Sequence, residues 1–241
     1  HTATNEVIFA IAFDGLKTQT WGGTNFIIHA AIGGDMVPAD YGFSGGWGGT
    51  RVTSAFVNHF DDISGETDSR AMFFTEGQNL EINDVGLFND GYAIEKWKNV
   101  NSDGSPGSSQ DYPDTDFPMF RLADVYLMYA EAVLRGGSGG DAGTALSYVN
   151  QIRTRAYNGS AGNMNSIDLG FLLEERAREL YWECHRRTDL IRFGVFTSAG
   201  YLWDWKGKVK EGKATDDKYN IFPIPSADIG ANPNLEQNPN Y

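Results

Sequence analysis

Residues 116–135 read DFPMFRLADVYLMYAEAVLR and carry the strongest structural signal in the sequence. Their apolar residues recur at helical spacing, so they form one continuous face of a predicted helix. That face consists of Phe120, Ala123, Leu127, Ala130 and Leu134. Asp116 is a suitable N-cap, Pro118 suits the first turn, and Gly136-Gly137 ends the helix. Because the face is so apolar, other helices must pack against it.

Two further predicted helices each follow an aspartate that can cap the first turn. Asp141 precedes a helix over residues 142–156, and Asp168 precedes one over residues 169–184. The glycine-rich connection at residues 136–140 is short enough to join two antiparallel helices as a hairpin. Helical hairpins in series favour an α-solenoid similar to the tetratricopeptide repeats, although no self-similarity at about 34 residues is present.

The first part of the chain has fewer periodic segments. Residues 5–13 are rich in β-branched and aromatic residues and predict a strand. Residues 71–74 and 91–97 predict two more strands that pair, and residues 52–60 predict a short helix. We therefore predict a mainly α fold, with tetratricopeptide-like helical hairpins, long loops and a few short β-strands.

The organisation along the chain follows from these segments. We predict a single region over residues 1–241 with two differently built parts. Residues 1–115 form a loop-rich part that binds ligand, and residues 116–241 form the helical hairpins and an extended C-terminal tail. A short fourth helix is predicted over residues 189–193.

Composition restricts the partners of this chain of 241 residues. Its formal net charge of −13 disfavours nucleic acid and anionic membranes, because both require a basic surface. No apolar run of about 18 residues could span a bilayer, and no signal peptide opens the sequence. A chain that starts at His1 and soon enters a strand is expected to be a fragment or a processed form. The single cysteine, Cys184, is expected to be a small core residue.

Residues 33–50 are dominated by glycine but also contain aromatic residues, which disordered linkers seldom have. We therefore expect an ordered loop. Exposed aromatic rings can stack on the C–H faces of sugars, while neighbouring polar groups bind the hydroxyls. The candidate ligand-binding residues are Trp21, Asn25, Tyr41, Phe43 and Trp47. The alternative is that these aromatic side chains anchor the loop to its own core.

Three acidic residues, Asp111, Asp114 and Asp116, lie close together in the segment DYPDTD. Carboxylates on a short flexible loop are suitable ligands for calcium, so a structural calcium site is one hypothesis. The alternative is a helix N-cap with two solvated charges. No other metal or cofactor is expected.

Acidic residues are also frequent on the predicted helix over residues 169–184, and two facing carboxylates are what a glycoside hydrolase needs. Arginines three or four residues away pair Glu174 with Arg178, and Glu183 with Arg186 and Arg187. Such pairing lowers a carboxylate pKa, which is unsuitable for a general acid. We therefore expect structural ion pairs and no enzymatic activity.

Four segments together resemble the SusD/RagB family. In chain order they are FRLADVYLMYAEAVLR, ALSYVNQIRTRA, LLEERARELYWECHRRTDLIRFG and FPIPSADIGANPNLEQNPNY. The resemblance covers residues 117–241, with weaker agreement at Asp68-x-Arg70 and in the WGGT and GWGG loops.

The resemblance implies a cell-surface lipoprotein of the outer membrane that binds glycans without hydrolysing them. It implies a SusC-like TonB-dependent transporter as partner, and a missing N-terminal half that carries the lipid anchor and further helices. The loop aromatics resemble those of starch-binding members, so an α-glucan such as starch is the expected ligand. Two alternatives stay open: a glycoside hydrolase, and a helical-repeat scaffold that binds only a protein partner.

Overall fold

We analysed a computed structural model of the chain, which describes residues 5–241. Within that part, the helices are α1 (Thr24–His29), α2 (Ser54–Val57), α3 (Leu122–Leu134), α4 (Ala142–Ala156), α5 (Leu169–Leu180), α6 (Arg186–Arg192) and α7 (Ser226–Ala231). The strands are β1 (Val7–Ile11), β2 (Phe73–Phe74), β3 (Ala93–Ile94) and β4 (Phe117–Arg121). The predicted mainly helical fold with a few short strands is confirmed.

The chain divides into two compact units, His1–Arg186 and Arg187–Tyr241. The predicted change of architecture near residue 115 lies inside the first unit. The loop-rich part and the helices α3, α4 and α5 belong to the same unit.

Three helices form the largest apolar core of the first unit. Helix α3 packs against both α4 and α5. Leu127, Ala130, Val149 and Leu172 are completely buried there. The aspartate caps are confirmed, because Asp141 accepts a hydrogen bond from Thr144 N and Asp168 accepts one from Phe171 N. These caps satisfy amide groups that have no partner inside the helix.

Helix α3 begins five residues later than the sequence predicted, so Arg121 and not Asp116 is its N-cap residue. Phe117–Arg121 is strand β4, which pairs antiparallel with β1 and places Pro118 opposite Ala10. Phe120 is consequently exposed and lies outside the apolar face of α3. The prediction failed because residues 117–121 also fit the helical period. Their conformation is decided by pairing with the distant strand β1. Proline is tolerated there because the sheet has only two strands, so β4 lies at an edge.

Helix α5 ends at Leu180 and not at residue 184. Tyr181 is extended, and Trp182 and Cys184 have φ values of 60° and 65°. Cys184 is exposed, so the prediction that it fills the core was wrong. The left-handed backbone turns its side chain away from the apolar face of α5.

Two smaller apolar clusters stabilise the loop-rich part of the first unit. The cluster around Val57, Phe60 and Phe73 includes the paired strands β2 and β3, as predicted. The other cluster contains Ile28 and Ile32 from α1 and its C-terminal extension. It holds the glycine-rich loop that contains the candidate site.

The second unit has little regular structure. After α6 it contains two 3-10 helices, Lys206–Lys208 and Asp217–Asn220, and then α7. Among residues 5–241, no helix combines the length and the apolar character that crossing a bilayer requires.

Candidate functional site

An exposed group of aromatic side chains lies on the first unit. We call Trp21, Phe26, Trp47 and Tyr112 the aromatic platform. The ring centroids of Trp21 and Trp47 are 6.1 Å apart, those of Trp21 and Tyr112 are 5.1 Å apart, and those of Phe26 and Trp47 are 6.0 Å apart. Trp21 is 59% exposed and Trp47 is 44% exposed. The predicted tryptophans are therefore brought together on the surface, where they can stack against a ligand.

The glycine-rich loop is held by the C-terminal end of α1. The amide of Trp47 donates to His29 O at 2.8 Å, and the amides of Gly48 and Gly49 donate to Ile32 O and Ala30 O. Carbonyl groups at a helix end lack partners within the helix, so these amides satisfy them and order the loop. A Cβ atom on Gly46 would lie 2.3 Å from Ile32 O, which explains why this close approach needs glycine.

Trp21 is fixed by the turn that starts α1. Gly23 has φ of 61°, and a Cβ atom there would lie 2.4 Å from the ring of Phe13. Only glycine combines this backbone conformation with this contact. The turn therefore places Trp21 immediately before the helix, and Phe26 lies within it.

His29 supports the platform from inside. Its imidazole ring stacks on Trp47 with a centroid distance of 5.0 Å and is only 5% exposed. Its Nδ1 lies 3.2 Å from Gly45 O and its Nε2 lies 3.2 Å from Asp111 O. Burial lowers the pKa of His29, although both carbonyl contacts act in the opposite direction. The ring thus connects the loop of Trp47 with the segment that contains Tyr112.

Three of the predicted ligand-binding residues are buried. Tyr41 is 3% exposed, Phe43 is 2% exposed and Asn25 is completely buried. The Tyr41 hydroxyl donates to Glu95 Oε1 at 2.6 Å, and the Asn25 amide nitrogen donates to Thr20 O at 2.8 Å. These positions are corrected here: the side chains support the loop and do not form its outer surface, as the alternative for the loop aromatics anticipated.

Phe26 and Tyr112 are platform residues that no sequence pattern indicated. Phe26 belongs to an apolar run that predicts burial, and Tyr112 lies in a polar segment far along the chain. The only local signal for Tyr112 is an aromatic residue within an otherwise polar loop. Its position beside Trp21 depends on long-range folding.

The three aspartates of the proposed calcium site do not converge. Asp114 accepts hydrogen bonds from Gly15 N at 2.7 Å and Ser108 N at 2.6 Å, and Asp116 accepts one from Phe13 N at 2.9 Å. Among the residues that the structure describes, no group of three acidic, histidine or cysteine side chains is arranged to hold a metal. The calcium hypothesis stays a prediction that these contacts do not support: Asp114 and Asp116 accept hydrogen bonds from backbone amides and tie together distant parts of the chain.

Buried arginines and carboxylates form a second polar cluster in the first unit. Arg121 makes a bidentate contact with Glu183, at 2.6 and 2.9 Å, and donates to Glu179 at 2.6 Å. Arg70 is bidentate to Asp68, at 2.9 and 2.8 Å. Arg70 and Arg153 also donate to Glu175, and Arg70 and Arg155 donate to Glu179. We call this whole set of arginines and carboxylates the buried charge network.

The buried charge network is structural in character. Burial alone would raise the pKa of Glu179, but Arg121, Arg155 and Arg70 outweigh it and hold that pKa at about 2. Such a carboxylate cannot act as a general acid near neutral pH.

The ion pairs on α5 differ from the predicted ones. Arg178 contacts Glu175, Glu183 contacts Arg121, and Arg187 donates to Tyr219 O. Helical spacing alone therefore identified the type of interaction and not its partners.

The chain is a mainly helical protein whose candidate site is an open aromatic surface. Its buried carboxylates are paired with arginines. A sequence profile described as the SusD family matches residues 73–241. The chain belongs to the SusD family.

Similar proteins agree with this assignment. The starch-binding protein SusD of Bacteroides thetaiotaomicron is 33% identical over 282 aligned residues, which cover 99% of this chain and 50% of that protein. The SusD-like protein P25 of Formosa agariphila is 34% identical over 152 residues, which cover 60% of this chain and 27% of that protein. The chain therefore spans at most about half the length of these relatives.

Solved structures share the fold. Surface glycan-binding protein A of Bacteroides thetaiotaomicron superposes with a TM-score of 0.67 at 23% identity, covering 98% of this chain and 52% of that one. Its complex with laminarihexaose superposes with a TM-score of 0.64 at 23% identity, covering 97% of this chain and 52% of that one. At this level of identity the comparison concerns architecture alone.

Proposed function

We propose that this chain binds a neutral oligosaccharide through the aromatic platform and does not hydrolyse it. The observation that carries the proposal is the pair of exposed tryptophans, Trp21 and Trp47, whose rings lie 6.1 Å apart on an ordered loop. A contiguous exposed apolar patch on a folded protein often marks a binding site for a ligand or another protein. Sugar rings present apolar C–H faces that match such a surface, and a neutral ligand is indifferent to the net charge of −13.

The arrangement of the rings supports a curved glycan. Trp21 is tilted by 51° to Trp47 and by 46° to Tyr112, and Phe26 is tilted by 55° to Trp47. Neighbouring rings at these angles form a curved surface, which suits the winding chain of an α-1,4-glucan better than the flat ribbon of a β-1,4-glucan. Similarity to a starch-binding protein favours the same choice. We therefore propose an α-glucan as the ligand.

The proposed location and transporter partner are based on membership of the SusD family. We place the protein at the outer surface of the outer membrane, attached by a lipid on a part of the protein outside this chain. There it would pass its glycan to a SusC-like TonB-dependent transporter. The names of the similar proteins describe binding, which supports a non-catalytic role.

Isothermal titration with three oligosaccharides of equal length tests the ligand class. The panel consists of a malto-oligosaccharide, a laminari-oligosaccharide and a cello-oligosaccharide. We expect the malto-oligosaccharide to bind most tightly and the cello-oligosaccharide most weakly. Preference for the laminari-oligosaccharide would overturn the α-glucan assignment but retain the platform.

Variants test the site itself. The double variant Trp21→Ala/Trp47→Ala should lose measurable binding, while Phe9→Ala removes an aromatic ring of similar exposure outside the platform and should bind normally. Absence of any sugar binding by the parent protein would favour the scaffold hypothesis. New reducing ends after incubation with the panel would favour a hydrolase.

A further inference from the structure

A second concave site lies within the unit Arg187–Tyr241. It is a cavity of about 900 Å³, and all of its lining residues belong to this unit. We call it the C-terminal pocket. Its aromatic lining consists of Phe196, Trp203, Trp205, Tyr219, Phe222 and Tyr241. Pockets of this size hold ligands of several rings, and the aromatic walls offer the same stacking surfaces as the platform.

The C-terminal pocket differs from the platform by being cationic. Its lining includes Arg187, Lys206, Lys208 and Lys213 but a single acidic side chain, that of Asp216. The Asp216 carboxylate already accepts a hydrogen bond from the amide of Lys218 at 2.8 Å. An excess of positive charge at one site is unusual in a chain with a net charge of −13. It favours a negatively charged ligand.

Arg187 is held in place by a carbonyl group and two aromatic rings. Its Nη2 donates to Tyr219 O at 2.7 Å, and its guanidinium carbon lies 3.9 Å from the ring centroid of Phe222 and 5.2 Å from that of Phe196. A guanidinium has five N–H donors, so most remain for a ligand. Contacts with two rings restrict the guanidinium, which prepares it for bidentate binding of a carboxylate or a sulfate.

Lys206 supplies a second fixed cation. It is 3% exposed, and its ammonium donates to Ser198 O at 2.6 Å and Tyr201 O at 2.7 Å. The same ammonium lies 4.5 Å from the ring centroid of Trp203. Burial lowers the pKa of Lys206. A buried cation that contacts only carbonyl groups and a ring is stabilised further by an anion in the pocket.

The backbone of the pocket is strained where it presents its side chains. Trp205 and Lys208 have φ values of 66° and 64°, and Gly207 between them has 66°. Non-glycine residues in this conformation cost free energy, and they are concentrated at sites where function requires a particular geometry. Hydrogen bonds from Trp205 N to Lys210 O and from Lys208 N to Trp205 O retain the turn.

From these features we infer that the C-terminal pocket is a second carbohydrate site that takes oligosaccharides bearing carboxylate or sulfate groups. The aromatic walls stack on sugar rings, while Arg187 and the exposed Lys208 and Lys213 bind the acidic groups. This inference goes beyond the platform, because it concerns other residues, another unit and a charged class of ligand.

Isothermal titration at low salt tests the inference on the whole chain. Hyaluronan tetrasaccharide carries carboxylates alone, chondroitin sulfate tetrasaccharide carries carboxylates and sulfates, and maltotetraose carries neither. We expect at least one of the anionic tetrasaccharides to bind the Trp21→Ala/Trp47→Ala variant, in which the platform is removed. The response to the two anionic ligands shows which acidic group the pocket prefers. Failure of both to bind would overturn the inference and leave the platform untouched.

Variants and two further ligands make the test specific. Lys208→Gln/Lys213→Gln and Phe222→Ala change exposed residues of the pocket. Each variant should lower the affinity for the anionic tetrasaccharide at least tenfold. Lys17→Gln/Lys98→Gln removes two exposed charges from the first unit and should not. Unchanged binding by the pocket variants would contradict the assignment. Equally tight binding of a tetraglutamate peptide or of inorganic sulfate would contradict the saccharide ligand.

Discussion

Trp21 shows how a single exposed ring can account for ligand affinity with little contribution to stability. It is 59% exposed, and its ring contacts are with other platform residues. Trp21→Ala should therefore weaken malto-oligosaccharide binding about tenfold to a hundredfold. That range corresponds to about 1–3 kcal/mol, the contribution that a stacked ring makes in other aromatic sites. The melting temperature should change little.

Titration and a thermal melt on the same sample check this prediction. Trp21→Phe retains a smaller ring and should recover part of the affinity. A buried tryptophan replaced by alanine would instead lower the free energy of unfolding by about 3–5 kcal/mol. A large loss of stability with unchanged affinity would therefore remove Trp21 from the site.

His29, which packs under the platform, should make the stability of the protein depend on pH. Burial lowers its pKa below the ordinary value, so the folded state favours the neutral imidazole. The stability that this group contributes is complete above the unfolded pKa of about 6.5 and is lost as the pH falls below it. The melting temperature of the parent should therefore fall between about pH 7.5 and about pH 5.5 by more than that of His29→Gln. The other histidines are shared by both proteins, so equal losses would contradict this account.

The burial of individual side chains explains which part of the site the sequence could not predict. Trp21 and Trp47 were identified because aromatic residues stand beside glycines in a loop. The same signal selected Tyr41 and Phe43, which are buried. Burial depends on which side of an irregular loop faces the core, and no periodicity encodes that choice. Tyr112 joins the platform only through long-range folding.

At the scale of elements, the local sequence was sufficient to predict where a helix starts when the helix has its own N-cap residue. Asp141 and Asp168 cap α4 and α5 at the predicted positions. Local chemistry failed at Phe117–Arg121, where pairing with Val7–Ile11 overrides a helical period. Strand pairing between segments more than a hundred residues apart leaves little trace in either segment alone.

The buried charge network connects strand β4 to helix α5 and should be sensitive to the loss of one member. Arg121→Met would remove the cation that pairs with the carboxylates of both Glu179 and Glu183. Breaking a buried ion pair from one side typically costs about 3–5 kcal/mol. Lys17→Met removes one partner of the exposed Lys17–Asp14 pair and should destabilise the protein far less. Chemical denaturation of the three proteins measures the difference, and similar losses for both variants would show that the network is not essential.

Acid should weaken the same network. The pKa of Glu179 is about 2 in the folded protein, because nearby arginines outweigh the effect of burial. Its unfolded value is about 4.3. A lowered carboxylate pKa stabilises the protein above the unfolded value, and this contribution is lost as the pH falls from about 4.5 toward 2. Glu179→Gln removes the carboxylate that takes up a proton, so the stability of this variant should depend less on pH in that interval. Parallel curves for both proteins would assign the acid response to other groups.

At the scale of the whole molecule, the two candidate sites occupy different compact units and offer different electrostatic surroundings. The platform consists of uncharged rings, whereas the C-terminal pocket is lined by four cationic side chains and one acidic side chain. One chain with a net charge of −13 thus combines a surface for neutral sugars with a local region suited to anions. The platform is accordingly expected to act independently of the overall charge.

Salt separates the two kinds of binding. Raising the salt from about 0.01 M to about 1 M shortens the Debye length from about 30 Å to about 3 Å and screens exposed charges. Malto-oligosaccharide affinity at the platform should change less than about twofold over this range, because neither the ligand nor the stacked rings carry charge. Titration of the parent and of Lys208→Gln/Lys213→Gln should give the same flat dependence. A steep loss of malto-oligosaccharide affinity with salt in the parent, absent from that variant, would place the neutral sugar in the C-terminal pocket and remove the platform from its proposed role.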